Sequence, residues 1–266
     1  MTQTSRQCAT RPYFESEDGQ FVLFHADCRD VLPALHNVDM IFADPPYFLS
    51  GGGITCHAGR MVSVNKGEWD KPGTVEENHA FNREWLALCQ EALRPDGTIW
   101  VSGTHHVIFS VGFAMQELGL KLLNSITWYK TNAPPNLSCR YFTHSTETVI
   151  WAAKSKRSRH YFDYQAMKKE AGGKQMRDVW EISAPLSREK KFGKHPTQKP
   201  LALLHRIIRA STREGELVVD PFTGSSTTGI AAAGLQRRFV GMDTESEFLD
   251  LSVKRYREWT MRHSLF

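Results

Sequence analysis

An α/β fold with a doubly wound, mixed sheet is what the chain predicts, and three observations lead there. Seven short apolar runs, near 20–25, 38–43, 98–102, 122–129, 146–152, 216–220 and 238–242, have the length and composition of strands. Several alternate with helical patterns, the signature of a sheet covered by helices. Two of the runs stop at an aspartate followed at once by proline, Asp44-Pro45 and Asp220-Pro221. Strand ends of this kind are where doubly wound sheets bind their ligands.

Taken in order, the first run (Phe21 to Ala26) ends at Asp27-Cys28, and the second ends Ile41-Phe42-Ala43 before Asp44. Residues 81–93 place Phe81, Trp85, Leu88 and Ala92 on one helical face. Arg94-Pro95-Asp96-Gly97 then punctuates before the strand Thr98–Val101. Residues 107–118 read as helix and stop at Gly119. Pro200 opens another helix, with Leu201, Leu204 and Ile208 inward and Gly215 past its end. A further helix starts near Thr227, and the last covers about 245–260. Two stretches show no regular pattern: 48–73, rich in glycine, and about 154–193, rich in lysine and arginine. The expectation is one domain over 1–266, a mobile loop at 48–73 and an inserted basic region at 154–193.

Composition is that of a globular protein, 41% hydrophobic and 23% charged over 266 residues. No apolar run has membrane-span length, and Met1 to Thr10 lacks the apolar core of a signal peptide. Cys8, Cys28, Cys56, Cys89 and Cys139 are odd in number and widely spaced. Neither a disulfide framework nor a zinc site is indicated, and a reduced, cytoplasmic protein is expected. Charge is unevenly spread. Residues 154–199 hold 13 Lys/Arg against 5 Asp/Glu, whereas the rest holds 20 against 24. That excess suits phosphate contact, with Arg157, Arg159, Lys168, Lys169, Arg177, Lys190 and Lys191 as candidates; a solvated basic loop is the plainer reading.

Asp44-Pro45-Pro46-Tyr47 makes a stiff corner, because consecutive prolines remove two backbone donors and force Asp44 into extended backbone. A carboxylate, free carbonyls and an aromatic face together suit a planar base bearing an amino group. An ordinary strand-ending turn is the alternative. Residues 216–234 carry a second corner, where Asp220-Pro221-Phe222-Thr223-Gly224-Ser225 leads into a helix near Thr227. Small residues there let a ligand approach the backbone. The spacing fits neither a P-loop nor the dinucleotide fingerprint, and points to a ligand with an α-carboxylate or amino group. Asp243, at the next strand end, suits a ribose diol.

These motifs resemble the β-class amino methyltransferases of DNA, which use S-adenosylmethionine and carry their motifs in a permuted order. Asp44-Pro45-Pro46-Tyr47 precedes the cofactor turn Asp220 to Ser225, the basic region lies between, and His195-Pro196-Thr197-Gln198-Lys199-Pro200 is a further hallmark. The likeness covers 20–260. Through Phe48-Leu49-Ser50 and Asn136 to Phe142 it leans toward the DpnA-like adenine enzymes of bacterial restriction systems. The family's Gly-x-Gly turn is altered here, since Ser226 follows Gly224-Ser225.

The resemblance implies a Rossmann-like class I methyltransferase that methylates adenine N6 in DNA site-specifically, and the subgroup likeness suggests a GATC-like site. It implies a catalytic Asp44, Pro45, Pro46 and Tyr47, with Tyr47 stacked on a flipped-out base. Asp27 would accept from the cofactor adenine, beside Cys28, and Asp243 would take its ribose. Phe222, Thr223, Gly224, Ser225 and Thr227 would line the methionine portion, with His195 adjacent and Lys199 near the carboxylate. No metal is implied, because the sulfonium already activates the leaving group. The partner would be DNA, double-stranded or single-stranded, met by a monomer or homodimer in the bacterial cytoplasm and nucleoid. Trp69 is a candidate aromatic contact, and His105-His106 read as surface groups. Rival readings are an N4-cytosine methyltransferase, a non-catalytic DNA-binding relative and, more distantly, a dehydrogenase.

Overall fold

The computed structural model describes residues 11–48, 54–57, 60–63, 73–193 and 195–263. In chain order the elements are β1 (Phe14–Glu15), β2 (Phe21–His25), α1 (Cys28–Val31), β3 (Val38–Ala43), β4 (Ile54–His57), β5 (Arg60–Ser63) and α2 (Val75–Ala92). Then come β6 (Leu93–Gly103), α3 (Ile108–Glu117), β7 (Lys121–Tyr129), β8 (Thr146–Ala153), α4 (Tyr164–Glu170) and β9 (Val179–Glu181). The chain finishes with α5 (Leu201–Ser211), β10 (Leu217–Asp220), α6 (Thr227–Gly234), β11 (Arg238–Asp243) and α7 (Ser246–His263).

Nine strands form one sheet in the order β1-β2-β11-β10-β3-β6-β8-β7-β9. β2, β11, β10, β3 and β6 run parallel. β8 enters antiparallel to both its neighbours, β6 and β7, while β7 and β9 pair parallel, so the sheet is mixed as expected. Alternation along the strands serves both faces. Ile41 and Ala43 of β3, with Ile99 and Val101 of β6, pack under α2 and α3 against Trp85, Cys89 and Val111. Met40, Phe42 and Trp100 point to the other face and meet Leu203, Ile207 and Ile230. Strands buried on both faces read as unbroken apolar runs, which is why β3 was legible.

From β10 the chain winds through α6 to β11 on one side; from β3 it passes through α2 to β6 on the other. β10 and β3 pair directly, Val218 beside Met40 and Val219 beside Ile41. The switch point therefore lies between them, and both end in the aspartate corners.

Several expectations need correction. The Arg94–Gly97 punctuation is not a free turn: β6 begins at Leu93 and the ladder to β3 shifts register between Val38 and Met40. A Cβ on Gly97 would lie 2.9 Å from the Val38 carbonyl oxygen, so glycine permits the close approach. Within 48–73, β4 and β5 pair antiparallel, where no regular structure was expected; the rest of that loop from Leu49 to Lys71 and Pro72, Trp69 included, lies outside the described residues. The basic region is not irregular throughout. It contains α4, which packs on α5 through an Arg206–Glu170 ion pair of 2.7 Å, and β9, which joins the sheet edge beside β7.

Candidate active site

β3 ends and the two prolines carry Asp44 over the sheet's carboxyl edge, with Phe48 leaving the corner at φ 56°. That left-handed backbone is unusual for an aromatic residue and turns the chain sharply. Both Asp44 oxygens are engaged. Oδ1 accepts from the Tyr47 hydroxyl at 2.7 Å, and Oδ2 accepts from the Lys199 ammonium. Lys199 also donates to the Thr197 carbonyl at 3.3 Å and lies 3.6 Å from Glu147. Burial raises the Asp44 carboxyl, and the Lys199 cation opposes that shift. Burial likewise works against the Lys199 charge, but Asp44 and Glu147 hold its ammonium above the usual lysine value.

Tyr47, expected to offer a stacking face, is only 6% exposed and packs into the core. Lys199, expected near the cofactor carboxylate, donates to Asp44. Its location in sequence, inside the His195–Pro200 motif, did not disclose this.

The second corner is built differently. Asp220 is buried and turns its carboxylate back on its own loop: Oδ1 accepts from the Phe222 N–H at 3.0 Å and Oδ2 from the Thr228 hydroxyl at 2.5 Å. Burial pushes its carboxyl up to about 7. Gly224 takes φ +50°, a left-handed backbone that favours glycine, and a Cβ there would lie 2.9 Å from the His195 ring at Nε2. Ser226 caps α6 with φ 50° and ψ 42°, a left-handed conformation that a Cβ disfavours by about 1 kcal/mol. Hydrogen bonds to Thr223, backbone at 2.7 Å and hydroxyl at 2.9 Å, hold it there. Arg255 of α7, unforeseen in the sequence, braces the turn by donating to the Ser225 and Thr227 hydroxyls, each at 3.0 Å.

Between the corners opens a cleft of about 240 Å³ lined by Ala26, Asp27, Cys28, Asp44, Pro46, His195, Phe222 and Asp243. Thr223, Gly224, Ser225, Thr227, Lys199 and Asp220 line its continuation. Apart from Pro45 and Tyr47, every residue expected at the catalytic corner or the cofactor site thus borders this space. Asp27 is held by Arg29 at 2.8 Å; burial acts against its ionisation, but Arg29 wins and keeps the carboxyl below the ordinary range. Asp243 accepts from the Gly224 N–H at 2.8 Å, and burial raises it to about 6. Arg29, Phe81, Thr244 and Phe248 also line the cleft and were missed. Helical periodicity places Phe81 on an inward face but cannot distinguish a core from a pocket wall.

The basic candidates scatter. β8 runs antiparallel to β6, so the chain leaves it at the far end of the sheet, and the Arg159 N–H there donates to Asp96 at 2.7 Å. Arg157 shares that location, remote from Asp44. Lys168 and Lys169 sit in the last turn of α4, and Arg177 precedes β9. Lys190 and Lys191 adjoin the His195–Pro200 segment, with Lys191 paired to Glu258 at 2.6 Å. His105 and His106 are exposed as expected, and His105 stacks on His144 with centroids 4.9 Å apart.

Fold and cleft together define the class: a methyltransferase of the class I type that uses S-adenosylmethionine. Carboxylates and aromatic faces in one cleft fit the cofactor's sulfonium, since both attract a cation. The DNA methylase family model for N6 and N4 enzymes matches residues 38–254, and the chain belongs to that family. Type II methyltransferase M2.LlaDCHI of Lactococcus lactis subsp. cremoris is 55% identical over 249 residues, 92% of each chain. Type II methyltransferase M2.DpnII of Streptococcus pneumoniae is 54% identical with the same coverage. The crystal structure of the M1.HpyAVI–SAM complex matches at a TM-score of 0.68 and 28% identity, covering 89% of this chain and 98% of that one. The protein is a DNA methyltransferase of the restriction–modification kind. Among the described residues, none of the helices is long and apolar enough to cross a membrane.

Proposed function

We propose that the enzyme methylates the N6 amino group of adenine in DNA, with Asp44 as the group that meets that nitrogen. The observation carrying this reading is the convergence of Asp44 and the Gly224 turn on one cleft at the switch point. Bound S-adenosylmethionine supplies the electrophilic methyl. The protein's contribution is position and charge: Asp44 and the Pro45 carbonyl accept the two amino hydrogens, directing the nitrogen lone pair along the cleft. Asp243 receives the ribose hydroxyls, Asp27 the cofactor adenine, and Phe222 to Ser225 the methionine portion, while Asp220 shapes the turn that does so.

A duplex base reaches the cleft only by flipping out. Tyr47 serves Asp44 through its hydroxyl, and stacking on the base requires its ring to be uncovered. DNA approaches along the carboxyl edge of the sheet, where Lys190 and Lys191 supply positive charge. The β7–β8 connection, exposing Tyr141 and Phe142 (95%), supports contact with an unstacked base there. Arg157 and Arg159 are too remote for that surface. Digesting DNA methylated by the enzyme to nucleosides tests the assignment: N6-methyladenine is expected, and N4-methylcytosine alone overturns it.

A further inference from the structure

Behind Asp44 lies a row of four charged groups of alternating sign, supplied by four separate parts of the fold. Asp44 follows β3, Lys199 precedes α5, Glu147 is the second residue of β8, and Lys130 follows β7. Lys199 contacts Asp44 directly and lies 3.6 Å from Glu147 Oε2, whose other oxygen is 2.5 Å from Lys130. The Ser102 hydroxyl at the end of β6 donates to Glu147 at 3.3 Å. Lys199 is 6% exposed and Glu147 8%. Buried ion pairs such as Lys199 with Asp44 and Glu147, here extended to a half-buried Lys130, are costly to assemble, and apolar residues of like volume often stabilise a fold as well or better. An ion row ending on the carboxylate at the reacting position therefore calls for a role beyond stability.

We propose that Glu147 is a positioning residue for methyl transfer: shared between Lys199 and Lys130, it fixes the Lys199 ammonium on Asp44, and so sets the orientation and charge of the carboxylate that meets the target amino group. The inference rests on the assignment of Asp44 above. The groups facing Asp44 are Lys199, Glu147, Tyr47 and, from β10, Asp220. Burial and the Glu147 anion both push the Asp44 carboxyl up, and Lys199 pulls it down. Burial also acts against the Glu147 charge, yet Lys199 and Lys130 hold it below the ordinary value.

Opposite signs follow for the two neighbours. Transfer needs ionised Asp44, so the rate falls as pH drops through its pKa. Lys199→Met leaves two buried carboxylates without their shared cation and moves that acid limb to higher pH. Glu147→Gln removes the repelling anion and moves the limb to lower pH, while loosening Lys199.

The test is single-turnover methylation of DNA by the full chain across pH about 5 to 9, with cofactor affinity measured in parallel. Glu147→Gln is expected to lower the plateau rate between about tenfold and a hundredfold. Its cofactor affinity should stay within about twofold, and its limb should shift oppositely to that of Lys199→Met. A rate and limb matching the unaltered enzyme overturn the proposal. Should Glu147→Gln fail to fold, Lys130→Met replaces it: freed of Lys130, Glu147 draws Lys199 off Asp44, and the limb moves upward. An unmoved limb there also overturns the proposal. Asp44→Ala separates the two assignments. If it stays active, the Asp44 reading falls; if it is inactive while Glu147→Gln behaves normally, only the positioning role falls.

Discussion

Asp44 and Asp220 end neighbouring parallel strands, each followed by proline and each withdrawn from solvent, yet the fold treats them differently. Asp220 satisfies itself locally, on a backbone N–H and a hydroxyl within eight residues. Asp44 is met by Lys199, 155 residues away in the chain, and through it by Glu147. Burial raises both carboxyls, but Asp220 is opposed only by neutral donors and becomes a structural clasp. Asp44 is opposed by a cation, which pulls it back toward the anion that a reaction at an amino group uses. The contrast teaches that residue type and strand position do not assign a role; the partners do.

The sharpest way to break the comparison is to exchange each carboxylate. Asp44→Asn should reduce single-turnover methylation by about a thousandfold with cofactor binding retained, and Asp220→Asn by less than about tenfold. Comparable losses would dissolve the distinction. Next in size is Gly224→Ala, whose Cβ strikes His195. Isothermal titration should find cofactor affinity weakened by about tenfold or more, with rate at saturation less affected. Tyr47→Phe sharpens the picture at the Asp44 corner, since it keeps the ring and deletes the hydroxyl on Oδ1. A drop of about tenfold in rate marks the hydroxyl as the working part; no drop leaves stacking as the role.

A separate effect concerns stability rather than rate. The Asp220 carboxyl sits at about 7 in the fold, above its unfolded value, so the folded state binds the extra proton between roughly pH 4 and 7. Stability contributed by the neutral acid is present below that window and is lost as pH rises through it, by at most about 1.4 kcal/mol per unit. Denaturant melts at several pH values should show this decline flattened in Asp220→Asn.

Much of this was legible before any coordinates. β3, β10 and β11 are buried on both faces or end in distinctive corners, so apolar runs and proline marked them within a residue or two. Short pieces such as α1, α4, β1 and β9 escaped, because a few residues carry no period. The basic region shows the limit of composition. Counting lysines and arginines joined Arg157 and Lys190 in one patch, although the strand direction of β8 sends Arg157 to the far end of the sheet.

By itself the chain determined the fold class, the two aspartate corners and the kind of chemistry they serve, since strand burial and turn geometry are local and short in range. Only the tertiary structure decided which partners those aspartates receive. Lys199, Glu147 and Lys130 come from three separate elements, and whether a buried carboxylate keeps its charge depends on groups within a few ångströms in space, at any distance along the chain.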